Sequence, residues 1–290
     1  NGDITDEGVL TVSGRTTLTA GSANDITLDQ ANALHSVRVV SGRNVTLNDT
    51  NGIYLTGATV SGNLAVTAAG FIDGSFGGNP VTVSGTTTFA AGSTGDITFP
   101  LGNNFIGAVS ITSGRNVSLR DYSDIDLGGS TISGNLSITA NGSITDSAAI
   151  TVAGTTSLTS LGSFFAPTSF ALGSGFVGPV TLTGSGSLGD VSLIRPISLA
   201  PPNGNITLDA ANDFTGAINT STAASVVLND TSGIILGDST IGGSLTVTAN
   251  GSITDVGTLA VTGTTSLAAG SANDPTLDNA NNFGGAASIT

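Results

Sequence analysis

Apolar residues alternate with Thr, Ser or Ala in runs such as Val45-Thr46-Leu47, Ile53-Tyr54-Leu55 and Leu64-Ala65-Val66-Thr67, and Gly, Asn or Asp breaks each run. Alternation at period two over so short a span predicts β-strands with one buried face. Helix is nearly absent from the pattern, so the chain reads as all-β.

The strands recur behind a landmark. Ser13-Gly14, Ser41-Gly42, Ser61-Gly62, Ser84-Gly85, Ser113-Gly114, Ser133-Gly134 and Ala153-Gly154 follow one another at steps of 28, 20, 23, 29, 20 and 20 residues. A unit of that size cannot bury its apolar face alone and must stack on its neighbours. Short strands separated by corners in a turn of ~20 residues predict a parallel β-helix, a β-solenoid in which each strand pairs with its equivalent one turn above and below. At ~4.8 Å per turn, roughly twelve turns make a rod on the order of 60 Å long.

A higher order overlies the turns. The segment Gly14-Arg15-Thr16-Thr17-Leu18 has relatives beginning at Gly85, Gly154 and Gly263 and a degenerate one at Arg195. The super-repeats are therefore 14–84, 85–153, a truncated 154–194, 195–262 and a partial 263–290, within one solenoid segment spanning 1–290. Each full copy is expected to hold three turns, one of ~28 residues and two of ~20. The long turn carries Phe105, Phe176, Phe214 or Phe283, with Leu34 at that place in the first copy, and these are expected to pack an extra arm onto the body. The chain opens mid-repeat, since Asn1-Gly2-Asp3-Ile4-Thr5-Asp6 matches Asn141–Asp146 and Asn250–Asp255, and this predicts a segment of a longer protein.

Composition narrows the chemistry. Apolar residues make up 38% of the 290, and charged residues 9%, which suits a folded chain with a long thin core. With no Cys, thiol catalysis and Cys-based metal sites are excluded. The formal net charge is −14 and only six Arg stand against it, so nucleic acid is not an expected partner. No apolar run approaches the ~20 residues of a membrane-spanning helix.

The densest polar constellation is Arg120-Asp121-Tyr122-Ser123-Asp124-Ile125-Asp126. Asp121, Asp124 and Asp126 are the calcium candidates, because carboxylates on a corner suit a hard cation, although a capped turn accounts for the same residues. Two carboxylates on one face would also serve a carbohydrate-active lyase or glycosidase. The segment follows the repeat, and a base or charge stabiliser would have to come from a chain with no Lys and one His, His35, so no enzyme is expected. His35 falls at a variable position, occupied elsewhere by Ile106, Val177, Thr215 and Gly284, which marks a surface residue.

The run Gly134-Asn135-Leu136-Ser137-Ile138-Thr139-Ala140-Asn141-Gly142-Ser143-Ile144-Thr145-Asp146, with copies at Gly62–Gly70 and Gly243–Gly251, resembles the repeat of filamentous haemagglutinin-type bacterial exoproteins. The resemblance covers essentially the whole chain. It implies a right-handed β-helical shaft of a large adhesin exported by two-partner secretion or as an autotransporter. It also implies an extracellular or cell-surface location and no catalytic residue or resident cofactor. The expected role is reach and rigidity in adhesion or cell-cell contact, with a host-cell, carbohydrate or neighbouring-cell receptor. The alternatives are a carbohydrate-active β-helix enzyme and a filament subunit that associates head to tail through its open strand edges.

Overall fold

The structure is a computed structural model that describes residues 2–160, 175–176, 180–183, 186–187, 192–193, 197–199, 205–214 and 216–290. These residues are strands, turns and bends with no helix, and thus no helix long and apolar enough to cross a membrane. They form two compact units, Asn1–Gly142 with Asp146–Ile150, and Ser143–Thr145 with Thr151–Thr290.

In the first unit every pairing is parallel and joins one turn to the next, the arrangement of a β-solenoid. One column runs Ile4, Ile26, Val45, Leu64, Thr87, Val109, Leu127. A second runs Ser36, Tyr54, Asp73, Thr98, Ser118, Ser137, and a third Gly42, Val60, Val83, Phe105. Turns in the first column are 22, 19, 19, 23, 22 and 18 residues long. The period-two pattern is the cause: along Val45–Asp49 and Leu64–Ala68 every second side chain is buried. Inward residues then stack on like residues, so Leu28, Leu47, Val66, Phe89 and Ile111 make one continuous apolar row. Leu136 is inward as well and pairs with Val117.

Two expectations change. Among the described residues no turn of 28 residues forms, and the super-repeat is not three whole turns. Along the first column from Val45, three turns lead to Val109, but the sequence equivalent of Val45 is Val117, which stands in the second set of strands between Ile97 and Leu136. Likewise Thr16 pairs with Val37, whereas its equivalent Thr87 lies between Leu64 and Val109. A super-repeat is three turns and a fraction, so successive copies present the same strand in different columns. The residues that made the landmark step look long are strand residues carried onward around the coil. Part of the excess is bulged, as between Leu28 and Asn32 opposite Leu47 and Asp49, and between Phe99 and Asn103 opposite Leu119 and Asp121.

The long-turn aromatic does pack, but inside the core and not on an arm. Phe105 is fully buried, edge-on to Phe89 and Phe99 at 6.2 and 6.1 Å, and those two stack at 4.7 Å. Their equivalents in the first copy are Leu18, Leu28 and Leu34, also buried, so three rings replace three leucines.

The second unit is built alike. Ile206, Val226, Leu245, Thr265 and Ala287 form one column, Val180, Ile197, Ile218 and Leu236 another. Phe214 is fully buried and Phe283 half-buried, while the side chain of Phe176 and much of the truncated 154–194 copy lie outside the described residues.

One polar residue interrupts the inward rows in register. Thr16, Thr87, Thr156 and Thr265 hold one position in four super-repeats, and each hydroxyl is shielded from solvent with no hydrogen-bond partner. Leaving such a group unmade costs about 1–3 kcal/mol. Replacing the hydroxyl by a methyl removes that cost at nearly constant volume. Thr87→Val is therefore expected to stabilise the protein by about 1 kcal/mol, read as a rise in melting temperature; a fall would show that the hydroxyl is paired.

Candidate functional site

The bulges leave backbone amides with no strand carbonyl to meet, and buried side chains meet them instead. At the register pairs Asn32 with Asp49, Asn103 with Asp121 and Asn212 with Asp230, the Asp reaches back one turn. Asp121 Oδ2 accepts the Phe105 N–H at 2.8 Å and its Oδ1 accepts the Ser123 N–H at 2.7 Å. Asp230 accepts Phe214 and Ser232 N–H, both at 2.7 Å, and Asp49 accepts Leu34 and Asn51 N–H. The paired Asn reaches the other way: Asn103 Oδ1 accepts the Val81 N–H at 2.9 Å, and Asn32 Oδ1 the Leu10 N–H at 2.8 Å. Asn32–Asp49 and Asn103–Asp121 thus each clamp three consecutive turns.

The three calcium candidates, Asp121, Asp124 and Asp126, stand in different settings. Asp121 is fully buried and spends both carboxylate oxygens on the clamp, whereas Asp124 is exposed and Asp126 lies on the outward parity between buried Ile125 and Leu127. The three carboxylates do not converge, and no group of three His, Asp or Glu among the described residues is placed to hold a metal ion. Burial pushes the Asp121 carboxyl up, and the N–H donors from Phe105 and Ser123 only partly offset it.

A second polar device runs along an outer corner. Arg43 holds Asp25 through two bonds of 2.8 Å, and Arg115 holds Asp96 through bonds of 2.8 and 2.7 Å. Asn44 and Asn116 each donate to that same Asp and accept the N–H of Asn63 or Asn135 one turn on. Asp25 is thereby held well below the usual carboxylate range, and Asp96 is lowered to about 2, in each case first by the guanidinium bond.

Outside these ties lies one feature that the repeat does not require. His35, Tyr54, Phe71 and Phe76 line up across successive turns: His35 meets Tyr54 edge-on at 5.5 Å, and Tyr54 meets Phe71 at 4.8 Å and Phe76 at 5.4 Å. Phe71 is 36% exposed and Phe76 59%. The Phe71 ring lies flat against Gly52, where any Cβ would collide with it. Beside them is an open hollow of about 340 Å³ bordered by Thr11, Val12, Ser13, His35, Asn51 and Gly52. Phe76 rides on an insertion, since Val81 lies 10 positions after Phe71, whereas Ile150 lies 7 after Ser143 and Leu259 lies 7 after Ser252. Gly77 and Gly78, at φ +99° and +70°, let the inserted chain turn back. Sequence reasoning placed His35 on the surface correctly but missed its companions. The available signal was that Tyr54 and Phe71 replace Asp126 and Ser143, or Ile235 and Ser252, of other copies.

Two tests follow from the polar devices. Both Asp121 oxygens accept, so Asp121→Asn sets an amide N–H₂ against one of two N–H donors; it is expected to cost about 1–3 kcal/mol, as much as Asp121→Ala. A neutral effect in denaturant melts would show that the clamp is idle. Asp96, with its carboxyl depressed from 3.8 to about 2, contributes stability that is full above the unfolded value and lost as pH falls through that window. Asp121, shifted upward, acts in the opposite sense. Arg115→Ala should therefore flatten the fall of melting temperature between pH 4 and 2, roughly the window that the Asp96 shift defines; an unchanged slope would remove the ion pair as its cause.

No curated protein and no solved structure matches the chain. A family described as repeats of unknown function, DUF5649, matches residues 1–41, 42–112, 114–183 and 223–290. The inner matches are close to one super-repeat in length, the same period as the clamps Asn32–Asp49 and Asn103–Asp121. The chain therefore belongs to the DUF5649 family of repeats.

Proposed function

We propose that this chain is a non-enzymatic shaft segment of a bacterial cell-surface or secreted adhesin-like fibre of the filamentous haemagglutinin type, serving adhesion or cell-cell contact through reach and rigidity. One observation carries the reading: the buried side chains best able to do chemistry, Asn32, Asn103, Asp49, Asp121 and Asp230, are used to tie backbone to backbone between turns. An enzyme groove would need carboxylates held away from such bonds and aimed at a substrate. A shaft needs what is found, a device repeated with the sequence and dependent on neither disulfide nor cofactor.

Its partners in this reading are further repeats, or copies joined head to tail, and a receptor on a host or neighbouring cell. The test is immunogold electron microscopy on the source organism with an antibody against residues 1–290. Gold along fibres at the cell surface or shed into the medium is expected. Gold confined to the cell interior would overturn the proposal.

A further inference from the structure

We infer that the His35–Tyr54–Phe71–Phe76 surface with its adjoining hollow is a binding site for a neutral oligosaccharide. The second and fourth super-repeats act as internal controls. They form the same turns with Asp126 and Ser143, or Ile235 and Ser252, at the places of Tyr54 and Phe71 and with no counterpart of the insertion that carries Phe76, so folding does not call for the rings. Nor does burial account for them, because Phe76 stays 59% exposed. Keeping large apolar rings in water, and inserting chain to add one, makes physical sense when something covers them.

The chemistry of the occupant follows from the surface. Rings of three successive turns, at centroid spacings of 5.5, 4.8 and 5.4 Å, offer a stepped aromatic face about as long as two or three turn spacings of ~4.8 Å. The negative face of an aromatic ring attracts polarised C–H edges, which a pyranose presents on its flat side. Hydroxyls projecting from that ring need donors and acceptors at the rim, and Thr11, Ser13, Asn51 and His35 border the hollow. The hollow is open and in the size range of a small-molecule site. The net charge of −14 and the absence of Lys disfavour an acidic sugar. A single glycan chain lying along the solenoid axis would cover the rings and enter the hollow together.

The site stands independently of the shaft reading, since a glycan can be bound wherever the chain is located. The test is an array of neutral and acidic oligosaccharides, followed by titration of the best neutral hit. The chain has two tyrosines and no Trp, so in a Tyr122→Phe background the fluorescence reports on Tyr54 alone. The expected result is saturable binding of a neutral oligosaccharide with a change in Tyr54 emission. Phe76→Ala should weaken it about tenfold with no change in melting temperature, because the ring is mostly in solvent. Absence of any neutral hit, preference for acidic glycans, or equal binding by Phe76→Ala would each overturn the inference.

Discussion

Every turn of this chain depends on finding, one turn away, an acceptor for each backbone N–H that it removes from water. Strands meet the demand automatically, since parallel pairing supplies the carbonyls. At bulges and some corners an amide is left over, and there the sequence places an oxygen: Asp121 for Phe105, Asn103 for Val81, Asn44 for Asn63. Without those oxygens each bulge would leave an orphan donor, at a cost comparable to a lost core methyl or two. The buried Asp is held against its own desolvation because it serves two amides at once, which turns an unfavourable burial into a specification of where the bulge must fall.

That requirement also explains why the repeat unit is longer than a turn and not a multiple of it. The clamp needs a bulge in one turn and an Asp in the next, so the smallest unit that reproduces it spans several turns. Nothing requires the unit to close on a whole number of them. Val45 and Val117 are the same residue of the unit in different columns, yet each faces an apolar neighbour above and below, Ile26 with Leu64 and Ile97 with Leu136. Since all columns of the core are apolar, a strand can move from one to another without losing its packing.

The strands and their stacking were legible in the sequence because alternation at period two reports burial directly, as in Leu136-Ser137-Ile138, where Leu136 and Ile138 are inward. Turn length was not legible. A sequence repeat counts residues between like letters, whereas a turn is closed by pairing, and the Gly-based landmark measured the first. The role of Asp121 was hidden for a related reason, as Asp on a corner reads the same whether it binds a cation or the amide of a residue 16 positions earlier. Parity, however, separated residues of one type: Phe105 has the inward parity of Val83 and is buried, whereas Phe71 precedes inward Ile72 and so points out.

A solenoid tolerates such outward additions because its cooperativity is nearest-neighbour. The extra chain between Phe71 and Val81 leaves both flanking strands in register, Ile72 with Ile53 and Ile97, and Val81 with Ala58. Within the insertion the chain reverses at Gly77 and Gly78, which accept positive φ at little cost. In a globular core the same change would disturb many contacts at once. Here it alters one edge of one turn, so the first super-repeat can carry an aromatic surface that the corresponding turns at Ile125–Ile150 and Ile234–Leu259 do without.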